Sequence, residues 1–402
     1  MPVAHLKRKI GLVSLTLYGL GNILGAGIYV LVGKVAGYSG GNTTLAFIIA
    51  MTIAALTAFS YMELSARYPV SASVSVYSYK AFGRKWLSLS VGLIMIAGGI
   101  TSAAALAQGF GGYLSEFIAI PIAFSSVILL VIVALLAAKG IGESVKSAAI
   151  LTLIELGGLL LVIWVGRSTL GNFDYGNVFS LDPSVGIAGL LTGAFLAFYA
   201  FIGFEDMANV GEEVKNVKRV MPTAILLSLL ISTSVYLLIV VVSLSTVSVS
   251  QLSNSDAPLS LVYNLNGGRF PQVLSLIGMV AAANGIVVQM IMGSRFLYGL
   301  AKQGWLDQRL GNVNSKTSTP LIATFTVALL MIISTLLLPL TALAKITSFL
   351  ILGIFALVNG SLITIKRHHD KKVNSITVPI IVPILGLVTC LSLAGYQVYV
   401  WL

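Results

Sequence analysis

The stretch Gly19-Leu20-Gly21-Asn22-Ile23-Leu24-Gly25-Ala26-Gly27-Ile28-Tyr29 decides how this chain folds. It lies in an apolar run over 11–36, long enough to cross a hydrocarbon core of about 30 Å as a helix. Yet Gly19, Gly21, Gly25 and Gly27 fall in its middle, where glycine weakens a helix. Such a segment is either a packing face of small residues or a helix broken at mid-membrane. A dinucleotide-binding reading of the same glycines fails, because no strand precedes them and the whole segment is apolar.

Outward from this stretch the chain repeats the apolar theme. Ten further runs cover 43–66, 87–114, 121–138, 147–167, 184–209, 222–247, 271–300, 320–339, 341–365 and 378–401. The residues are 57% hydrophobic and only 9% charged, with a mean hydropathy of +0.99. Soluble domains carry about 25% charge, so a water-soluble globule is excluded. Helices are expected, since a barrel would show alternating segments of about ten residues. Met1–Lys9 is short and basic, and the run behind it is too long for a signal-peptide core, so it is expected to stay as the first span.

The net charge of +11 sits between the runs, which points to membrane topology and not to nucleic acid. With the N-terminus in the cytoplasm, the inner segments collect twenty Lys and Arg, among them Lys7–Lys9, Arg67, Lys139, Lys215 and Arg309. The outer segments hold only Lys34, Arg167 and Arg269, and Lys345 falls within a span. This is a strong positive-inside bias, and it puts Leu402 outside. The basic segment 366–372 is a topology anchor facing anionic lipid. His5, His368 and His369 are solvated loop residues, the lone Cys390 has no partner for a disulfide or a zinc site, and no nucleophile elbow, phosphate loop or zinc motif is present. No enzyme, no metal and no cofactor are expected. Asn42-Thr43-Thr44 forms a glycosylation triplet on the outer side.

The sixth run carries Phe198-Tyr199-Ala200-Phe201-Ile202-Gly203-Phe204 and then Glu205-Asp206, and two acids in a span demand a reason. Runs one and six are five apart, the spacing of two inverted five-helix repeats whose interrupted helices flank a central site. One integral membrane domain is expected over 1–402, with repeats at about 11–167 and 184–365 and an extra helix at about 378–401. A half-helix beginning at mid-membrane offers free N–H groups and the positive end of its dipole, so a carboxylate can dock there without a basic side chain.

These residues resemble the amino acid-polyamine-organocation (APC) family of transporters. Gly21–Tyr29 is similar to its first-helix signature. Tyr199–Glu205 with Glu212–Asn216 and Pro222 resembles its sixth helix and following loop. Ser294-Arg295, Tyr298, Ala301–Gly304 and Thr319-Pro320 resemble the end of its eighth helix and the following loop. Pro69, Tyr77, Tyr79 and Ala81–Gly83 resemble the segment after its second helix, although Ala72-Ser73 replaces the usual Gly-Gly. The resemblance implies an APC/LeuT-like fold with helices one and six unwound around the substrate. By position, Asn22, Gly25, Ala26 and Gly27 would receive a substrate carboxylate, and the carbonyls of Tyr199, Ala200 and Ile202 its amino group. It likewise implies an aromatic gate at Tyr199 and side-chain contacts at Thr101, Ser102 and Gln289. An isolated Thr, Ser or Gln in a membrane helix also bonds neighbouring helices.

One departure stands out. Many relatives carry a lysine near position 155, where this chain has Glu155. A carboxyl group there must be protonated, paired or facing water, so Glu155 is expected to couple transport to a proton first and a cation such as sodium second. The alternatives are a packing partner or an ion pair with Lys345. Glu63 and Arg67, one turn apart, are expected to form a structural ion pair, Glu205 to gate or to support the unwound segment, and Asp206 to face the cytoplasmic vestibule. Together these readings describe a multi-pass amino acid transporter of the cytoplasmic membrane, whether monomer or homodimer. Exchange, polyamine or organic-cation transport, and a transport-inactive nutrient sensor are the alternatives.

Overall fold

The computed structural model describes residues 8–70, 73–140, 145–368 and 376–402. The expectations placed on His5, Lys7, Ala72, His369, Lys371 and Lys372 lie outside them. Fifteen α-helices fill the described chain, with no strand among the described residues beyond one isolated bridge, Ile10 to Val214.

Glycine and proline set the boundaries. Helices α1 (Leu12–Leu24) and α2 (Ala26–Ser39) together make the first crossing, interrupted at Gly25, where ψ of −176° leaves the helical region. The chain turns back at Gly40–Asn42 into α3 (Thr43–Arg67). A short helix, α4 (Ser73–Phe82), follows in the segment between the second and third runs and buries Val74 and Tyr77. Helices α5 (Lys85–Leu114), α6 (Ile122–Ala138) and α7 (Val145–Val165) complete the first five crossings. The sixth is again composite: α8 (Gly186–Ala197), a 3-10 turn at Phe198–Phe201, an extended step at Ile202, and a 3-10 stretch at Phe204–Glu213. Then come α9 (Val217–Thr246), two short helices α10 (Val249–Asn254) and α11 (Pro258–Leu265), and the crossings α12 (Pro271–Lys302), α13 (Leu321–Leu337), α14 (Leu340–His368) and α15 (Ile381–Trp401). Helices α6 and α13 have 17 residues each, a rise of about 25 Å, at the short end of what crosses a bilayer core. The described chain therefore makes eleven crossings.

Packing between crossings follows one rule. Spans two and seven (α3 with α9), three and eight (α5 with α12) and four and nine (α6 with α13) touch directly. The contact of span one with seven is matched by six with two, one with five by six with ten, and three with ten by eight with five. Adding five to each number reproduces the pattern, as expected of two similar halves in inverted arrangement. The sixth crossing is the most enclosed, with 72% of its apolar window buried, against 28% for α15. The core therefore lies around the sixth crossing, and α15 is peripheral. Exposed Leu, Ile and Val on α6, α13 and α15 form the outer wall, as a lipid-facing surface requires.

The face bearing the N-terminus is tied by backbone and by charge. Lys9 and Ile10 N–H groups donate to Glu213 O, and Lys215 N–H donates to Ile10 O. Glu63, fully buried, accepts from Arg67 at 2.6 Å and Lys366 at 2.9 Å, and also from the Val378 N–H at 2.7 Å. The expected Glu63–Arg67 pair is therefore present, enlarged into a junction of α3, α14 and the approach to α15. On the opposite face, Asn42 is 1% exposed, its amide donating to Ser180 O at 2.6 Å and its carbonyl accepting from Asp182 N–H. That burial leaves the glycosylation triplet no free amide. Asp182 caps the same turn, and hydrogen bonds from the Ser184 hydroxyl, then from the Gly41 and Ser184 N–H groups, hold its carboxyl below the ordinary value.

Candidate functional site

The two interrupted crossings meet. A Cβ on Gly27 would lie 3.1 Å from Ala200 Cα, and one on Gly203, whose φ is +131°, would run into the Asn22 backbone. Only glycine permits both the dihedral and the approach. Interrupting a helix orphans its terminal carbonyls and N–H groups, and in this protein tyrosines answer for several. The Tyr236 hydroxyl, on α9, lies between Ile23 O at the end of α1 and Ala200 O in the sixth crossing, bonding to both. Tyr113 donates to Tyr29 O at 2.6 Å, and Tyr29 in turn donates to Glu155 O at 2.5 Å. All three rings are fully buried. Tyr236 thus holds a carbonyl at each break while Tyr113 and Tyr29 tie α5, α2 and α7 together beside them, a role for Tyr236 that sequence reasoning missed because an isolated Tyr in an apolar run gives no signal.

Beside the breaks lies a cavity of about 60 Å³, several times what one water needs. Of the residues expected there, Asn22, Gly25, Gly27, Ser102, Tyr199, Ile202 and Gln289 line it. Tyr199 is held by its hydroxyl, 2.9 Å from Ser102 Oγ and 3.2 Å from Ser102 O, so the expected gate links the sixth crossing to α5. Asn22 Nδ2 is buried with no acceptor among the described residues, an orphan donor at the cavity wall. Helix α2 begins immediately beyond Gly25 and presents its N-terminal end at the break.

Two expected residues, Thr101 and Ala200, are placed differently. Thr101 turns from the cavity and bonds Thr347 at 2.7 Å and Ala97 O at 3.1 Å, satisfying itself within the α5–α14 seam. Ala200 carries its carbonyl to Tyr236 rather than to the cavity. Ala26 starts α2, but its side chain lies outside the described residues. Asp206 and Asn284 border the cavity although sequence reasoning had sent the first to a vestibule and passed over the second. The signal for Asn284 was present: it is a lone amide in the apolar run 277–288.

Glu155 is fully buried on α7, and its Oε1 accepts from Asn284 Nδ2 at 3.2 Å. It is therefore one side chain removed from the cavity. Lys345 lies over the Tyr38 ring at 4.1 Å rather than beside Glu155. Glu205 curls back onto its own break, where Oε2 accepts the Gly203 N–H at 2.8 Å, and it borders a smaller cavity with Asn209. Support of the unwound segment is thus what its geometry provides. Among the described residues no cluster of His, Cys, Asp and Glu could hold a metal ion.

The sequence pattern that defines a family described as amino acid permease matches residues 10–400 of this chain. The chain is 27% identical to the branched-chain amino acid permease BcaP of Bacillus subtilis, over 96% of this chain and 88% of that protein. It is 30% identical to the mitochondrial cationic amino acid transporter 3 of Arabidopsis thaliana, over 87% of this chain and 60% of that longer protein. It is 26% identical to the methylthioribose transporter of Bacillus subtilis, over 96% and 87% of the two chains.

Proposed function

Because the chain belongs to the amino acid permease family, a family of membrane transporters and not of enzymes, we propose that it moves amino acids across the cytoplasmic membrane by alternating access, coupled to protons. The observation that carries this reading is the cavity at the junction of two interrupted crossings, with the unsatisfied Asn22 amide in its wall. A substrate carboxylate placed there would take the Asn22 Nδ2 hydrogen and face the start of α2, where free N–H groups and the helix dipole favour negative charge. The amino group would meet the carbonyl end of α1 and the Ile202 step. At about 60 Å³ the cavity admits a few waters and not a whole amino acid, so loading requires the walls to part. Gly25 and Ile202-Gly203 are where the backbone can bend, and rocking of one bundle against the other would expose the site to each side in turn.

Coupling is assigned to Glu155. A protonation change there alters what Asn284 can donate to, and Asn284 borders the cavity. The excess of Lys and Arg on the N-terminal side supports an orientation with that face in the cytoplasm. Exchange is the second reading, since the same breaks would serve a carrier that returns only when loaded.

The test is uptake of a panel of labelled amino acids into proteoliposomes, with an imposed inward proton gradient or with unlabelled substrate preloaded. Gradient-driven uptake abolished by a protonophore is the expected result. Uptake confined to preloaded vesicles replaces symport with exchange, and absence of uptake and of binding by folded protein removes the transport reading.

A further inference from the structure

The cavity wall holds a second unmatched group besides Asn22. Asp206 borders the cavity from the half of the sixth crossing nearer the N-terminal face and is 7% exposed. Among the described residues no hydrogen-bond donor or cation reaches its carboxylate. The other deeply buried acids are held: Glu63 by Arg67, Lys366 and the Val378 N–H, Glu205 by the Gly203 N–H, and Glu155 by Asn284. Among the described residues no Lys, Arg or His lines the cavity. An ionised carboxylate in so enclosed a site is strongly disfavoured without a counter-charge, and since no side chain of the protein supplies one, a ligand that brings positive charge into the cavity would meet it.

A neutral amino acid brings none in excess. Its carboxylate is answered by the Asn22 amide and the start of α2, its ammonium by the carbonyls ending α1, and Asp206 is left as it was. A substrate with a second ammonium or a guanidinium supplies the missing charge, in a water-poor site where such pairs are strengthened. An amine lacking a carboxylate would in turn leave the Asn22 donor unmet. We propose that Asp206 reads the net charge of the substrate and selects amino acids whose side chains are cationic. This rests on the cavity being the amino acid site.

Competition binding to the purified full-length protein tests it. Arginine and ornithine are compared with citrulline and norvaline, their neutral counterparts of similar size, and with agmatine, which is arginine without its carboxylate. The wild type should bind each cationic amino acid at least about tenfold tighter than its neutral counterpart, and Asp206→Asn should bring that ratio close to one, while Asp206→Glu restores a preference. Citrulline equal to arginine in the wild type overturns the proposal, and this arm decides even where the variants fail to fold. An Asp206→Asn ratio matching wild type overturns it as well, and agmatine equal to arginine overturns the carboxylate requirement. Leucine bound without any cationic preference removes charge selection and leaves amino acid transport standing. No binding by any amino acid removes the cavity as the amino acid site.

Discussion

A single hydroxyl at Tyr236 sits between carbonyls from both interrupted crossings, while the hydroxyl of Tyr61, equally buried, has no partner among the described residues. The two invite a paired experiment. Tyr236→Phe leaves carbonyls short of a donor and should cost about 1 to 3 kcal/mol, whereas Tyr61→Phe removes an unmet group and should be neutral or stabilising. Thermal unfolding of the two purified variants, read beside uptake, checks both signs. At Glu155 the expected change is in pH response: Glu155→Gln should flatten the pH dependence of uptake, and a profile as steep as wild type would take coupling away from this residue. Legibility in the sequence differed from residue to residue for a physical reason. Glycines announce their need through missing side chains, so Gly25 and Gly27 could be found, while the lone Gly203, whose φ is +131°, could not. Thr101 could not be told from Ser102, its neighbour, because 100° of helix rotation decides which of the two faces a cavity and which faces α14.

At the scale of elements, the two breaks depend on each other. Gly203→Ala places a side chain at φ of +131° and against the Asn22 backbone, at a strain of about 1 to 3 kcal/mol before any clash. Uptake should be lost and the unfolding temperature should fall. Gly157→Ala, whose Cβ would meet nothing within 4 Å, is the matched control and should change little. The spans were legible because hydrocarbon thickness fixes their length and backbone satisfaction fixes their form. The small helix α4 was not, because Ser73–Tyr79 is made of Ser, Val and Tyr, poor helix formers, and packs on α5 and α14, which no local propensity records.

Across the whole molecule, buried charge marks where the peripheral helix is anchored. Glu63 gathers Arg67, Lys366 and the Val378 N–H, and the same seam continues through Ser60, Asn359, Thr57 and Cys390. Removing the carboxylate with Glu63→Ala leaves two cations at a largely dry junction and should cost about 3 to 5 kcal/mol. The readout is thermal unfolding, with the loosening of α14 and α15 visible as faster amide exchange in those helices. The pairing of Ile10 with Val214 has a kinematic meaning. It welds α1 to the end of the sixth crossing, so the two hinges share one lever and cannot open separately. The molecule then has one gating coordinate instead of two, and a spectroscopic probe on either arm should report the same opening rate.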